Sequence, residues 1–145
     1  MIFLSDDDGN CCPIHWQSRK IKRIVKSTLA AECLALQEAS ECAFYLKTVL
    51  SEMLGTSSEA IQIICFTDNK SLVESLHSTR TLEEKRLILD QAILKDMMLK
   101  GEIKCVKWLE KEKQLADPLT KPTASSVMLR DVIQRGDISD VVDLQ

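Results

Sequence analysis

Three acidic residues occupy positions from which a carboxylate could take part in a reaction. Asp68 comes directly after the apolar run 61–66. Glu32 lies early in a long helical pattern, and Asp117 precedes a proline at the start of another. Carboxylates gathered in one place repel each other unless cations neutralise them, and their hard oxygen atoms suit Mg²⁺ or Mn²⁺. Two such ions about 3.5–4 Å apart activate water and stabilise the leaving oxygen in phosphodiester hydrolysis, so the three acids are candidate metal ligands.

Each acid also has a purely structural explanation, and these alternatives stay open. Asp68 or Asn69 can cap the helix that follows them. Glu32 can complement the dipole of its helix from the first turn. Its neighbours three, four and seven positions further on are apolar, however, and an ionised carboxylate beside them needs a partner. Asp117 as N-cap, with Pro118 in the first helical position, accounts completely for that acid.

Apolar periodicity predicts the elements that would position these acids. Apolar residues at helical spacing predict a long helix from Thr28 to about residue 54, with Ser27 or Thr28 as N-cap and Gly55 just beyond its end. The apolar run 61–66 predicts a buried central strand, and open α/β sheets build their sites at the carboxyl ends of such strands. The other predicted elements are a hairpin over 1–18 with its turn at 6–10, helices over 70–76 and 82–100, a strand over 102–109 and a last helix from Pro118 to Ile133.

Length and composition indicate one globular domain. The chain has 145 residues, of which 45% are hydrophobic and 28% charged. No apolar run approaches the ~20 residues of a membrane helix, and the apolar stretch at the N-terminus is too short for the core of a signal peptide. We therefore expect an intracellular protein, cytoplasmic or nuclear. The six cysteines form no C-x-x-C pair and are best interpreted as small buried hydrophobic residues.

One basic cluster departs from the overall acidic balance of net charge −3. The segment 19–26 contains Arg19, Lys20, Lys22 and Arg23, followed by a fifth basic residue, Lys26. Such a cluster can bind the backbone of a polyanion, and a solvated charged face explains it equally well. We treat the first four residues as candidate nucleic-acid contacts.

The sequence resembles the ribonuclease H domain of Ty1/copia-type retrotransposon Pol polyproteins. The resemblance covers roughly residues 1–136. Residues 137–145 are acidic and short of large apolar residues, so we expect them to form a loose tail. Four motifs in series, in the family's order and spacing, are far more specific than any one of them. They are Pro-Ile-His-Trp-Gln-Ser-Arg-Lys at 13–20, Ser-Thr-Leu-Ala-Ala-Glu-Cys-Leu-Ala-Leu at 27–36, Thr-Asp-Asn-Lys-Ser-Leu at 67–72 and Gln-Leu-Ala-Asp-Pro-Leu-Thr-Lys at 114–121.

The resemblance implies a fold, an activity and a set of site residues. The fold would be a ribonuclease H-like mixed sheet flanked by helices, and the activity Mg²⁺-dependent cleavage of the RNA strand in an RNA–DNA hybrid. The family's second, third and fourth catalytic carboxylates fall on Glu32, Asp68 and Asp117. Asp90 falls where the family often has an acid in a helix, and we do not expect it to be catalytic.

The chain departs from the family at its start. Family members begin with a strand that carries the first catalytic aspartate, whereas here the hairpin begins at Met1. We therefore expect an N-terminally truncated domain with weak or no activity. Loss of a residue that only hydrogen-bonds to a metal ligand commonly lowers metal affinity or activity about 10–100-fold, and loss of a ligand itself should lower it further. The missing strand would leave two edges unpaired within the sheet, so the alternative is a non-catalytic interaction module or homodimer formed through those edges.

Overall fold

The computed structural model describes residues 1–78 and 85–144, which form a mixed α/β structure. The elements in chain order are β1 (Ile2–Ser5), β2 (Cys11–His15), α1 (Thr28–Leu54), β3 (Ile64–Thr67), α2 (Lys70–His77), α3 (Lys85–Leu99), β4 (Cys105–Trp108), α4 (Asp117–Thr120) and α5 (Val127–Arg135), with single-turn 3₁₀ helices at Ser58–Ala60 and Lys111–Lys113. The chain divides into two compact units, which we call the hairpin unit (Met1–Lys20 and Leu109–Gln145) and the central unit (Ile21–Trp108).

Helix α1 organises the central unit, and its ends confirm the sequence prediction. The Ser27 hydroxyl accepts a hydrogen bond from the backbone N–H of Ala30 at 3.1 Å, which satisfies one of the free donors of the first turn. Gly55 ends the helix with φ of 62°, a left-handed conformation that glycine adopts without steric cost. Local side-chain chemistry therefore sets both ends of this helix.

The core of the central unit lies where α1, α2 and α3 meet the strands. Each helix contributes residues at spacings of three, four or seven, as expected for one buried stripe. The buried apolar residues are Ala30, Cys33 and Leu36 of α1, Leu72 and Leu76 of α2, Leu87, Leu94 and Met97 of α3, and Ile63, Ile103 and Val106 in or beside the strands. This core holds the start of α1 and the end of β3 on one framework.

Strands β3 and β4 of the central unit run parallel, with Thr67 opposite Trp108 at their carboxyl ends. The central strand is shorter than predicted: its ladder covers 64–67, and its residues are half-buried except for Thr67. Parallel strands need a crossover connection, which α2 and α3 supply. The predicted start of the second crossover helix, at residue 82, lies outside the described residues.

The hairpin unit contains the predicted strand–turn–strand. Strands β1 and β2 pair antiparallel, and Asp6 organises the turn by accepting hydrogen bonds from the backbone N–H groups of Asp8 and Asn10 at 3.1 and 2.9 Å. A further bond comes from the Asn10 side chain, which lowers the pKa of the Asp6 carboxyl. Asp6 is therefore a turn residue, in agreement with the turn predicted at 6–10.

Two features of the hairpin unit differ from the sequence predictions. The last helix is divided into α4 and α5, because Lys121 precedes Pro122 and is held in the extended region with φ of −116° and ψ of 107°. The acidic segment after Gly136, expected to be loose, is packed at three apolar residues. These buried residues are Ile138, Val141 and Val142.

The α/β class is thus observed, but its strands form two two-stranded sheets where the resemblance implied one larger mixed sheet. One sheet is the antiparallel pair β1–β2 and the other the parallel pair β3–β4. None of the helices in the described part of the chain combines the length and apolar character that crossing a bilayer requires.

Candidate active site

Asp68 lies at the carboxyl end of the parallel strand pair, in the connection between β3 and α2. The backbone on either side of it is fixed by its neighbours. The Thr67 hydroxyl accepts a hydrogen bond from the backbone N–H of Asn69 at 3.2 Å, and the Asn69 side chain accepts one from the N–H of Leu72 at 3.0 Å. Asn69 is therefore the N-cap of α2. Of the two capping residues that the sequence allowed, the structure selects Asn69.

The carboxylate of Asp68 consequently has no part in capping the helix. The residue is half-buried, and its side chain makes no hydrogen bond or ion pair within residues 1–78 and 85–144. Its backbone carbonyl accepts a hydrogen bond from the indole N–H of Trp108 across the strand ends at 3.3 Å. The backbone of Asp68 is held in place while its charged group remains available to a ligand.

Glu32 is the fifth residue of α1 and is also half-buried. The first turn of α1 contains no acid, so the suggested helix-dipole role for Glu32 does not match its position. Four residues further on, Leu36 is buried in the core, which places Glu32 at the border of the packed face, as the apolar spacing predicted. Glu32 and Asp68 belong to the same unit and thus to the same packed framework.

Asp117 belongs to the hairpin unit and has a different environment. It is the first residue of α4, whose N-cap is Ala116 without a side-chain bond, so the prediction that Asp117 caps this helix is wrong. Both of its carboxylate oxygens accept hydrogen bonds from Lys121 Nζ at 2.8 Å, one turn later. This i,i+4 ion pair gives Asp117 a local structural partner.

A single metal centre made by all three acids stays a prediction. Among the described residues, no group of three or more His, Cys, Asp or Glu side chains is arranged to hold a metal ion. The donor chemistry still fits Mg²⁺, because this ion keeps several waters and commonly uses only one or two protein carboxylates together with substrate phosphates. Asp68, with an unengaged carboxylate at a strand end, is the residue best placed to supply one.

The predicted nucleic-acid contacts are divided between the two units. Arg19 and Lys20 are exposed in the hairpin unit, and Lys22 is exposed in the central unit. Arg23 instead reaches Asp90 of α3 and donates from both terminal guanidinium nitrogens to its two carboxylate oxygens. The guanidinium of Arg23 is thus committed to an ion pair.

The partner in that pair, Asp90, is a buried acid whose role the sequence did not reveal. Its side chain is only 7% exposed, against 35% for Arg23. The pair lies beside Cys33 of α1, where burial raises the thiol pKa to about 11, with a further rise from the negative charge of Asp90 and an opposing effect of Arg23. This electrostatic cluster fastens the segment before α1 to α3. The only hint in the sequence was an acid at an apolar-facing helical position.

Trp108 is the second residue whose importance the sequence did not indicate. It ends β4, contacts the backbone of Asp68 and is 48% exposed. The alternating pattern 102–109 predicted its strand but gave no sign of this contact. Comparison of the chain with protein-family models, curated proteins and solved structures finds no match, so the site rests on its own geometry and on the sequence motifs.

Proposed function

We propose that this chain derives from the Mg²⁺-dependent ribonuclease H domain of a Ty1/copia-type retrotransposon Pol polyprotein, which cleaves the RNA strand of an RNA–DNA hybrid. The main support for this proposal is that the Asp68 carboxylate has no partner among the described residues. A half-buried carboxylate ends a parallel strand, its neighbour Asn69 performs the capping, and no described group neutralises it. The described fold makes no use of this carboxylate, and open α/β sheets build their sites at the carboxyl ends of their strands, which favours a functional reason.

In this proposal the carboxylates of Glu32, Asp68 and Asp117 serve as metal ligands. Bound Mg²⁺ would polarise the phosphate and lower the pKa of an attacking water. The water oxygen attacks phosphorus, one P–O ester bond breaks, and the leaving oxygen takes up a proton. The chain's own acids position this chemistry, while Arg19, Lys20 and Lys22 contact the backbone of the hybrid.

Activity is proposed to be weak, because no group of three acids among the described residues is arranged to hold a metal ion. The proposal is tested by incubating the protein with a labelled RNA–DNA hybrid and 5 to 10 equivalents of enzyme, with Mg²⁺ or with EDTA. Mg²⁺-dependent loss of full-length RNA, abolished by Asp68→Asn, supports it.

The matched control is Asp96→Asn, the same chemical change at an exposed ion pair with Lys100 on α3. This control must cleave as the unmodified protein does, since a surface pair of this kind contributes little to stability. Cleavage that persists unchanged in Asp68→Asn would contradict the assignment of Asp68. Absence of any Mg²⁺-dependent cleavage above background would remove the nuclease function.

A second candidate function, a non-catalytic interaction module or homodimer, is favoured by the strand pairing. Each sheet contains only two strands in the described part of the chain, so each strand has one edge that is not paired with another strand. Such an edge accepts a strand from another chain. Light scattering over a hundredfold range of concentration tests it: a mass twice the 16.4 kDa of one chain supports the module, and a constant monomer mass contradicts homodimer formation.

A further inference from the structure

The exposed indole of Trp108 is the strongest feature of the central unit that the fold itself does not explain. In the parallel register Trp108 lies opposite Thr67, the residue before Asp68. The indole N–H donates to the Asp68 carbonyl at 3.3 Å, so the ring is fixed at the edge of the candidate site. Val106, two residues earlier, is buried, whereas Trp108 leaves 48% of its surface in solvent.

Trp108 differs from more exposed apolar residues of the central unit, such as Leu99 and Ile24, because its indole is hydrogen-bonded beside a strand-end carboxylate. A tryptophan is the largest apolar side chain, and burying it would stabilise the protein more than burying any neighbour. Its polar N–H is already satisfied, so the need to reach water does not account for the exposure. What remains exposed is largely an aromatic surface, and aromatic surfaces next to carboxylate sites can stack on nucleotide bases or sugars.

Positive charge lies close by in the chain. Lys70 is the first residue of α2, two positions after Asp68, and is exposed. The carboxyl ends of the two strands therefore combine an available carboxylate, a held indole and, within two residues, an ammonium group. An ammonium group can bind a phosphate, and an exposed indole can stack on a base.

We propose that Trp108 forms the wall of a nucleotide subsite at Asp68, with the indole contacting the base or sugar of the nucleotide whose phosphate lies at the carboxylate. The ligand class is a nucleotide of an RNA–DNA hybrid, and this inference rests on the proposed function. The indole N–H makes Trp108 a positioning residue for Asp68 as well, because it ties the Asp68 backbone to β4.

The test uses the two tryptophans of the chain. Trp16→Phe removes the other one, which is exposed, and leaves Trp108 as the sole indole fluorophore. An unlabelled hybrid is titrated in Ca²⁺, a hard cation that can bridge carboxylate and phosphate but does not demand the octahedral geometry of Mg²⁺, and a gel verifies that the RNA stays intact. Binding of a fluorescein-labelled hybrid is followed separately by anisotropy in the same buffer. N-acetyltryptophanamide corrects for absorption of light by the nucleic acid. We expect Trp108 emission to fall and its quenching by acrylamide to weaken, both saturating at the hybrid concentration that saturates anisotropy.

Substitutions at Trp108 give an independent readout. Loss of a stacking aromatic weakens single-base contacts substantially, so Trp108→Ala is expected to raise the Kd for the hybrid about 10-fold. Trp108→Phe keeps an aromatic ring but loses the N–H, and its Kd should stay within about 3-fold while any Mg²⁺-dependent cleavage rate falls. Circular dichroism verifies that both variants are folded.

The outcomes separate this inference from the function on which it rests. Hybrid binding by anisotropy with unchanged Trp108 emission, or equal Kd values for the alanine variant and the unmodified protein, overturns the subsite and leaves the proposed function standing. Absence of hybrid binding overturns both. Binding accompanied by protection of Trp108 and by weakening in Trp108→Ala supports the subsite.

Discussion

The ion pair between Arg23 and Asp90 should be worth far more to stability than the exposed pairs of this protein. Asp90 is held at 7% side-chain exposure and receives two guanidinium hydrogen bonds. In Asp90→Asn the charge is lost and the amide can accept only one of these bonds, while its own N–H group faces the guanidinium. A hydrogen bond to a charged partner contributes about 1.5–3 kcal/mol, so losing one and weakening the other should cost about 2–3 kcal/mol.

Because the side chain of Arg23 is about one-third exposed, water can solvate it in the variant, which keeps the cost below the ~3–5 kcal/mol typical of a fully buried charge left alone. The matched control is Asp96→Asn on the same helix, where the carboxylate and Lys100 are 57% and 59% exposed. The same chemical change there should cost less than about 0.5 kcal/mol.

Urea denaturation followed by circular dichroism measures both variants. With a urea dependence of about 1–3 kcal/mol per molar, the midpoint of Asp90→Asn should lie roughly 1 M below that of the unmodified protein, and that of Asp96→Asn should nearly coincide with it. Equal effects of the two substitutions, or a cost for Asp90→Asn under about 0.5 kcal/mol, would refute the idea that Arg23 and Asp90 anchor the segment before α1.

Three further predictions follow from individual residues. Asn69→Ala should destabilise the protein by about 1 kcal/mol in the same denaturation experiment, because it removes the N-cap of α2, and no loss would show that another group caps the helix. Gly9→Ala should cost at least about 1–2 kcal/mol, since φ is 91° and a Cβ would lie 2.9 Å from that of Ser139; unchanged stability would contradict this turn geometry. Burial first, and the charge of Asp90 second, raise the pKa of Cys33 from 9.0 to about 11, so the folded state holds the proton more tightly and stability should fall as pH rises from about 9 to 11. A Cys33→Ala variant should show a flatter profile over that interval, and identical profiles would contradict the assignment.

The local structure of this protein was predictable because short-range chemistry determines it. The limits of α1 follow from Ser27 and Gly55, whose side-chain bond and left-handed backbone need only neighbouring residues. The hairpin followed from its Asp-Gly-Asn turn. The last helix was predicted as one element because apolar residues occur at helical spacing on both sides of Pro122. The proline nevertheless ends the helix, since it holds Lys121 in an extended conformation.

Contacts between distant residues were not predictable from one sequence. Arg23 and Asp90 are 67 positions apart, and Trp108 and Asp68 are 40 apart, so no periodicity connects them. Both pairs form because α1, α3, β3 and β4 share one core. The three candidate acids could be found from their positions in the helix and strand patterns. The sequence could not show whether Asp68 or Asn69 caps α2, because either side chain could accept the hydrogen bond from the backbone N–H of Leu72.

The most direct measurement concerns the carboxylate of Asp68, which the fold does not use. Unfolding free energies of the unmodified protein and Asp68→Asn are compared without divalent cation and with Mg²⁺ at a hundredfold excess over its Kd. We expect the two proteins to be equally stable, within about 0.5 kcal/mol, in EDTA. Mg²⁺ should then stabilise the unmodified protein by about 2.7 kcal/mol and leave Asp68→Asn almost unchanged. A large loss of stability for Asp68→Asn in EDTA, or equal stabilisation of both proteins by Mg²⁺, would contradict a ligand-binding role for Asp68.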